Sequence, residues 1–435
     1  MSDNRVVTDD GLTRRGFIGK AGAAAAAGVA PFLVMGQEAK GANEKIGVGF
    51  IGCGGRAGAH MKLVKQLQEA GYPVEPVAVC DSYRPRRERA MQALGVTKAY
   101  ADHKALLADL SVDVVCIATP DHIHGYQALD AIAAGKDVYC EKPVTHWRQF
   151  ELTKKLADAV AKSDRVFQLG TQAMSDPVWR QMKKLVKEGL IGQPVHAEGG
   201  FFRTGDWGER GMKVDDADVK PGEDLNWEAF LGDSPKREFS ADRYFRWRLF
   251  EDYAGGPVTD LYPHSITQVV DIMGLGFPEK VTGIGSIDRY EYELREVPDS
   301  FQLIAHYPEK VTVVVMGTQA NDFTATTKRG AGARTPIVRG WDGALYIDES
   351  NKEIVFMPVR EKGAKPPQRI PIEGGENVGD HWKNLLDCVR SRKREELWSP
   401  MDLAFRVQTM LQMAMLSHKA GKVARFDAAK REIVM

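Results

Sequence analysis

Between Lys45 and Gly170, short apolar runs alternate with segments of helical periodicity. Apolar runs of this kind are typical of buried strands, and their alternation with helices predicts a parallel sheet that is covered on both faces. The predicted strands are Ile46–Ile51, Val74–Cys80, Val112–Ala118, Asp137–Cys140 and Val166–Leu169. The predicted helices are Ala57–Glu69, Pro85–Leu94, Lys104–Leu110, His124–Ala134 and His146–Lys162.

Further along the chain the apolar pattern changes. A helix is predicted over Pro177–Glu188, and the alternation in Phe301–His306 predicts a sheet with one covered face. Asp206–Glu251 is rich in charge, Trp and Tyr but has little periodicity, which is typical of an irregular functional segment. The other β-like runs are His196–Phe202, Val281–Ile287, Val311–Met316, Ile337–Arg339, Leu345–Ile347 and Ile354–Met357, and the closing helices are Val378–Arg392 and Pro400–Ala420.

Length and composition narrow the class of protein. A chain of 435 residues is too long for a single core, so two domains are expected. The 43% hydrophobic and 27% charged residues are ordinary for a soluble protein, and no later run is long enough to span a membrane. Because 59 basic residues balance 59 acidic ones, the charge favours neither nucleic acid nor an anionic surface as a partner.

The N-terminus has the layout of an export signal. Arg14, Arg15 and Phe17 precede an Ala/Gly-rich apolar stretch, Ala21–Met35, which is followed by small residues. This arrangement predicts that residues 1–42 are a twin-arginine signal peptide and linker, and that the protein is periplasmic or otherwise exported by the twin-arginine machinery. The alternative is an ordinary amphipathic or disordered tail.

The five cysteines do not suggest a metal site. They are Cys53, Cys80, Cys116, Cys140 and Cys388, and no CxxC pair occurs among them. Four lie in or at the ends of apolar strand-like runs, so we interpret them as small buried side chains and predict no metal.

A glycine turn follows the first predicted strand. Gly52, Gly54 and Ala57 fit the G-x-G-x-x-G/A pattern of dinucleotide-binding turns. Gly52 permits the tight turn, Gly54 lets the backbone approach a pyrophosphate, and Ala57 lets the helix pack on the strand. The N–H groups at the start of the helix then face the phosphates.

The residue type at the end of the second strand predicts which dinucleotide is bound. Asp81 would accept hydrogen bonds from the adenosine ribose and repel a 2′-phosphate, so NAD is favoured over NADP. Arg84, Arg86 and Arg87 lie nearby and weaken that preference. The alternative role for Asp81 is a cap for the helix that begins at Pro85.

Four segments together carry a resemblance to a known family. They are the turn Gly52–Ala57, Ala118–His124, Ala134–Pro143 with its Glu141-Lys142-Pro143, and Gly255–His264, and they resemble the Gfo/Idh/MocA oxidoreductases. The resemblance implies an α/β protein with an N-terminal Rossmann domain (residues 43–172) and a C-terminal α/β domain (residues 173–435) that has an open, largely antiparallel sheet. It also implies NAD(P)-linked chemistry on sugars, inositols or related polyols, and assembly into homo-oligomers.

The resemblance places the catalytic set at Lys142, Asp260 and His264. His264 is suited to take the hydroxyl proton as hydride leaves the carbinol carbon, and Lys142 to donate to the same oxygen. Asp260 would orient the imidazole or hold a second hydroxyl. The alternatives are a Lys142–Glu141 pair and a packed core histidine. Pro263 is expected to disfavour a helical conformation at the residue before it.

Further residues are predicted around this set. Aromatic side chains stack on the apolar faces of sugars, and arginine donates hydrogen bonds to hydroxyls or carboxylates, so both residue types are candidates for substrate binding. For any single Trp, the alternative is a structural role in the loop. His124 has a cap or packing role as its alternative. The predicted cofactor-binding residues are Gly52, Gly54, Gly55, Arg56, Ala57, Asp81, Thr119, Pro120, His124, Glu141 and Lys142, and the predicted substrate-binding residues are Gln172, Arg203, Trp247 and Tyr262.

The leading hypothesis is an exported oxidoreductase that acts on a carbohydrate or polyol hydroxyl. Free NAD(H) should be scarce outside the cytoplasm, so a tightly bound cofactor is expected. Two alternatives stay open: a redox-neutral glycosidase, lyase or epimerase that oxidises a ring hydroxyl transiently, and a non-catalytic sugar-binding protein.

Overall fold

The computed structural model describes residues 44–206, 211–329 and 333–435. The predicted twin-arginine leader lies outside these residues. In the described ranges the strands form a six-stranded sheet, built by residues 46–170, and a larger sheet built by residues 194–434. None of the helices described is both long and apolar enough to cross a membrane.

The first sheet is parallel throughout, with strand order β3-β2-β1-β4-β5-β6. It confirms the predicted Rossmann fold. Sequence reasoning missed β3, because this three-residue strand is mostly exposed and carries no apolar run. The strands are β1 (Ile46–Ile51), β2 (Val74–Cys80), β3 (Lys98–Tyr100), β4 (Val114–Ile117), β5 (Asp137–Glu141) and β6 (Phe167–Gly170), and the helices are α1 (Gly55–Glu69), α2 (Arg84–Leu94), α3 (His103–Leu107), α4 (Asp121–Ala133) and α5 (Phe150–Lys162).

The strand order reverses between β1 and β4, and this is where the sheet can bind a ligand. In parallel sheets a crevice opens outside the carboxyl ends of the strands at such a point. The glycine turn follows β1, Asp81 follows β2, Thr119 lies just beyond β4, and Lys142 follows β5. The fold therefore brings four segments that are distant in sequence to one edge of the sheet.

The second sheet has the order β16-β15-β14-β13-β7-β10-β9-β8-β17-β18. Only the β10–β7 pair is parallel in this order, which confirms a largely antiparallel sheet. In β9, Phe301 and Leu303 are buried whereas Gln302 and Ile304 are exposed, as the alternation predicted. The strands are β7 (Pro194–Thr204), β8 (Lys280–Ser286), β9 (Ser300–His306), β10 (Thr312–Thr318), β11 (Ala320–Asn321), β12 (Lys328–Arg329), β13 (Ala333–Gly340), β14 (Gly343–Ile347), β15 (Glu353–Pro358), β16 (Gln368–Pro371), β17 (Ala424–Asp427) and β18 (Glu432–Val434).

Helices cover one face of this sheet and return the chain to the first domain. The longest helix packs against β8, and the helix that begins at Pro263 packs against β7 and β13. The helices are α6 (Pro177–Lys187), α7 (Trp227–Leu231), α8 (Ala241–Phe245), α9 (Pro257–Asp260), α10 (Pro263–Met273), α11 (Val378–Ser391) and α12 (Met401–Ala420), with short 3₁₀ turns at Gln172–Ser175, Trp247–Leu249 and Arg394–Glu396.

Helix α11 completes the core of the parallel sheet. Its Trp382 is fully buried and stacks on Tyr139 of β5, with ring centroids 4.6 Å apart and planes 1° from parallel. The indole N–H donates to Nδ1 of His60 on α1 over 3.0 Å. Leu385 and Val389 of the same helix are buried in the cluster that contains β1. A late segment of the chain is therefore part of the N-terminal domain.

The backbone around Pro263 differs from the expectation. Tyr262 has φ −66° and ψ −28°, a right-handed helical conformation, and caps α10, whose first residue is Pro263. Its carbonyl accepts the N–H of Ile266, and its hydroxyl donates to the carbonyl of Phe301. These contacts outweigh the local preference imposed by a following proline.

Candidate active site

A cavity of about 900 Å³ lies along the carboxyl edge of the parallel sheet and reaches the C-terminal domain. Gly54 and Asp81 line it at the dinucleotide turn, and Lys142, Asp260 and His264 line it as well. Its volume lies at the upper end of the range for small-molecule sites. The predicted glycine turn and the predicted catalytic set therefore share one cavity.

The glycine turn has the geometry that a dinucleotide needs. Gly52 has φ +88°, and a Cβ there would lie 2.8 Å from the carbonyl oxygen of Ala118. Helix α1 begins at Gly55, its cap residue Gly54 provides no side-chain hydrogen bond, and its first turn has no acidic residue. The first N–H groups of α1 are therefore suited to bind a pyrophosphate. Ala57 is fully buried, which is consistent with a packing role.

Asp81 supports the turn from the end of β2. Its carboxylate accepts the N–H of Cys53 over 2.7 Å and the N–H of Tyr83 over 2.8 Å. Burial raises the pKa of Asp81, and the nearby Arg86 opposes that shift. Helix α2 begins at Arg84 with Tyr83 as its cap, so Asp81 lines the cavity and does not cap the helix.

Part of the irregular segment lies against the same edge of the Rossmann domain. We call residues 211–226 the cover segment. The carbonyl of Asp224 accepts the N–H of Arg84 over 2.8 Å, and the N–H of Asn226 donates to the carbonyl of Ser82 over 3.0 Å. The C-terminal domain thereby contacts the β2–α2 connection directly beside Asp81.

Glu141 is the centre of a buried hydrogen-bond network. Its Oε1 accepts from Arg56 Nε, His60 Nε2 and Gln172 Nε2, each over 2.7 Å. Because Trp382 donates to His60 Nδ1, the proton of this histidine lies on Nε2. Although burial opposes it, Arg56 and His60 hold the pKa of Glu141 well below its usual range.

Lys142 contacts the C-terminal domain and not its neighbour Glu141. Its Nζ donates to the carbonyl of Asp260 over 2.6 Å and to Asp260 Oδ1 over 2.9 Å. Arg248 Nε donates to the same Oδ1 over 3.2 Å, a contact that sequence reasoning missed. Although burial opposes it, Lys142 and Arg248 hold the pKa of Asp260 far below its usual range, so the carboxylate is ionised. The alternative of a Lys142–Glu141 pair is thus incorrect.

His264 lines the cavity with a partly exposed side chain. Burial, reinforced by the charge of Lys142, lowers its pKa to about 3, so the imidazole is neutral near pH 7. Within residues 44–206, 211–329 and 333–435, no group hydrogen-bonds to its ring. Asp260 therefore positions Lys142. One of its two predicted roles, orienting the imidazole of His264, is not what the structure shows.

The other predicted cofactor residues are placed as follows. Thr119, Pro120 and His124 line the cavity. The ring nitrogens of His124 lie 2.6 Å from the carbonyl oxygen of Thr119 and 2.7 Å from that of Pro143. Those contacts link α4 to the segment that carries Lys142, so the packing role holds for this ring.

Three of the four predicted substrate residues line the cavity: Gln172, Arg203 and Trp247. Gln172 commits its amide N–H groups to Glu141 and Tyr139, so it supports the network. Tyr262 is a correction, because it is fully buried in the core with its hydroxyl on a backbone carbonyl.

Sequence reasoning missed Asp121, the first residue of α4. Its side chain is 3% exposed, lines the cavity and accepts a hydrogen bond from Thr259 Oγ1 over 3.1 Å. Burial raises its pKa to about 7, with Arg248 and Lys142 opposing that shift. An aspartate at a helix start is ordinary in sequence, and only its burial beside these cations sets it apart.

The substitution Asp121→Asn should increase the free energy of unfolding more at high pH than at low pH. The pKa of Asp121 is about 7 in the folded chain and about 3.9 when unfolded. Folding therefore takes up a proton between these values, and stability falls as pH rises through them. The gain from Asp121→Asn should be about 2 to 3 kcal/mol larger at pH 8 than at pH 5. Urea unfolding of both proteins at pH 5 and pH 8 measures this difference in gain. Asp218→Asn, at an exposed position, is the control. Equal gains from Asp121→Asn at the two pH values would refute the prediction.

Comparison with known protein families gives two successive matches. Residues 46–171 match the GFO_IDH_MocA model, described as an oxidoreductase family with an NAD-binding Rossmann fold. Residues 175–337 match the C-terminal alpha/beta domain of the same oxidoreductase family. The glycine turn thus lies in an NAD-binding domain, which confirms the predicted cofactor.

Similar curated proteins cover only part of the chain. Inositol 2-dehydrogenase 1 of Saccharopolyspora erythraea is 35% identical over 149 residues, which are 34% of this chain and 43% of that protein. The scyllo-inositol 2-dehydrogenase (NAD(+)) of Bacillus subtilis is 31% identical over 28% of this chain and 35% of its own length. Levoglucosan dehydrogenase of Pseudarthrobacter phenanthrenivorans is 28% identical over 38% and 42%. The matches span less than half the length of these relatives.

Solved structures match over most of the chain. Levoglucosan dehydrogenase in complex with NADH and levoglucosan has a TM-score of 0.64 at 17% identity, over 88% of this chain and 99% of that one. The WlbA dehydrogenase of Bordetella pertussis, in complex with NADH and UDP-GlcNAcA, has a TM-score of 0.63 at 16% identity, over 88% and 99%. At these identities the similarity shows the fold.

Proposed function

The chain belongs to the Gfo/Idh/MocA oxidoreductase family, and on that premise we propose that it is an NAD(P)-dependent oxidoreductase with a tightly bound cofactor, acting on a sugar, glycoside or polyol hydroxyl. The observation that carries this proposal is the convergence of Lys142 and His264 on the cavity that contains the glycine turn. The substrate class is supported by relatives whose names state inositol and levoglucosan.

The ammonium of Lys142 is the group that binds the reacting oxygen. It has three N–H donors, and two are donated to Asp260. The third is not engaged by any residue that the structure describes. This donor stabilises the negative charge that develops on the hydroxyl oxygen. Asp260 holds the ammonium in place and Arg248 holds Asp260.

His264 takes the proton of the hydroxyl. Its imidazole is neutral near pH 7 and carries a lone pair on one ring nitrogen. Because a pKa of about 3 makes the ring a weak base, the proton transfer depends on Lys142 stabilising the oxygen as it becomes negative. When bound, NAD supplies the acceptor for the hydride that leaves the carbinol carbon. The balance is one hydride lost from carbon and one proton passed from oxygen to His264, which leaves a ketone.

A redox-neutral reaction is the second candidate. The cover segment, residues 211–226, is bonded to the β2–α2 connection beside Asp81, which hinders release of a dinucleotide from that end. A retained cofactor favours a cycle in which the hydride returns to the product. A ketone acidifies the adjacent C–H, and the buried carboxyl of Asp121, which lines the cavity, can take that proton. The net reaction would be elimination, epimerisation or glycoside cleavage.

Cofactor content and product formation distinguish these candidates. We expect the denatured protein to release about one NAD(H) per chain. A screen of glycosides, inositols and free sugars then follows product and NADH separately. Net NADH supports the oxidoreductase, and product without net NADH supports the redox-neutral cycle. A protein that never binds dinucleotide, even at high concentration, would refute both reactions and leave the third candidate, a non-catalytic sugar-binding protein.

Two further proposals concern location and assembly. Export by the twin-arginine route is supported by Arg14, Arg15 and Phe17, and fusion of residues 1–42 to a reporter that is active only after export tests it. Homo-oligomer formation is supported by apolar side chains of the second sheet that are exposed in the described residues, among them Ile284 at 68% and Ile304 at 53%. Sedimentation of the purified protein measures the assembly state.

A further inference from the structure

Asp215 binds two arginines of the Rossmann domain at the edge of the cofactor cavity. Its Oδ2 accepts from Arg86 Nε and from Arg89 Nη2, each over 2.8 Å. The side chain of Asp215 is 10% exposed and that of Arg86 is 19% exposed. The guanidinium of Arg86 also lies 5.0 Å from the ring centre of Phe245. The Asp215–Arg86 ion pair is therefore fixed in place and partly desolvated, unlike an ordinary surface ion pair.

The two arginines lie beside the part of the site that receives the adenosine ribose. A Cβ added at Gly54 would lie 3.5 Å from Arg86 Nη1. Gly54, Gly55, Arg86, Arg89 and Asp215 line one small cleft at the glycine turn. Asp81, the residue type that binds a ribose 2′-hydroxyl, interacts electrostatically with Arg86.

Arginines at this place in a Rossmann domain are the groups that accommodate a 2′-phosphate. Phosphate binding needs guanidinium donors that face the ligand. Here the shared carboxylate occupies one N–H of each arginine and offsets one of their two positive charges. A 2′-phosphate entering the cleft would also meet the negative charge of Asp215 itself.

We propose that Asp215 contributes to the dinucleotide specificity of this protein, by occupying Arg86 and Arg89 so that a 2′-phosphate cannot bind them. Asp81 disfavours the phosphate from the Rossmann domain, and Asp215 disfavours it from the cover segment. NAD selectivity is thereby shared between two acids 134 positions apart in sequence (215 − 81 = 134). The role rests on the NAD site of the proposed function.

The test measures which dinucleotide the protein holds. The purified wild type and Asp215→Asn are unfolded, freed of any bound dinucleotide and refolded with equal concentrations of NAD and NADP. Unbound ligand is then removed, the proteins are denatured, and the released dinucleotides are quantified. We expect the NADP to NAD ratio to rise about tenfold or more in the variant. Asp218→Asn, an exposed acid of the same segment, is the matched control and should keep the wild-type ratio.

A second variant separates specificity from structure. If Asp215 only held the cover segment in place, its loss would weaken both dinucleotides and leave the ratio unchanged, which would overturn the proposal. In Arg86→Ala/Asp215→Asn the ratio should return toward the wild-type value, because the arginine that binds the phosphate is gone. Since the readout is bound dinucleotide, a failure to find any sugar substrate would refute the proposed function without changing this result.

Discussion

A Lys142→Met protein is expected to lose about a thousandfold in kcat while it keeps its bound NAD. Methionine retains an unbranched apolar chain but removes the donor to the reacting oxygen. The ammonium lies in the cavity with its side chain 11% exposed and is held by Asp260, and one preorganised donor of this kind contributes strongly to the transition state. Steady-state kinetics, with NAD quantified after denaturation, measures both parts.

The control for Lys142 is another lysine paired with an aspartate. Lys183 contacts Asp271 over 2.7 Å and is about half exposed, so Lys183→Met should keep the wild-type kcat. A Lys142→Met protein with kcat within tenfold of wild type would contradict the assigned role. So would the loss of bound NAD together with activity, because it would indicate a structural defect at the cofactor site.

A Trp382→Ala protein is expected to lose about 3 to 5 kcal/mol of unfolding free energy. Trp382 is fully buried, stacks on Tyr139 and donates to His60. Truncation leaves a large cavity at the joint between α11 and the parallel sheet and removes a buried hydrogen bond. Urea unfolding followed by circular dichroism measures the change.

Two comparisons give this prediction its controls. Trp341 is 69% exposed, so Trp341→Ala should unfold close to the wild-type midpoint. Trp382→Phe keeps most of the packing but leaves His60 Nδ1 without its donor, so it should cost about 1 to 3 kcal/mol. Equal midpoints for the two alanine variants would mean that α11 is not part of the core.

Features that depend on local pattern were predictable from the sequence. Apolar runs in the sequence identify most strands of the parallel sheet, and residues that are adjacent in the chain specify the glycine turn. The three-residue β3 was not predicted, because it is mostly exposed and has no apolar run. The prediction of a non-helical conformation before Pro263 was wrong, because this local preference is weaker than the contacts that fix Tyr262 in the core.

The site could be predicted as a set of residues but not as a set of contacts. Lys142 and Asp260 are 118 positions apart, so their pairing follows from the arrangement of the domains. The same holds for Asp215 on Arg86, and for Asp121, whose altered pKa depends on burial and neighbouring charge. A sequence pattern names residue types, whereas the distances that give them chemistry arise only when separate segments meet.

The place of α11 in the chain has a consequence for biosynthesis. Val378–Ser391 is translated more than two hundred residues after β6, yet its Trp382 stacks on Tyr139 of β5 and donates to His60, which contacts Glu141. Domains usually fold in the order in which they leave the ribosome. This dinucleotide domain must instead await a segment that is synthesised more than two hundred residues later, so its pocket forms only after Val378–Ser391 has been translated. Nascent chains arrested before Val378 should therefore fail to capture NAD.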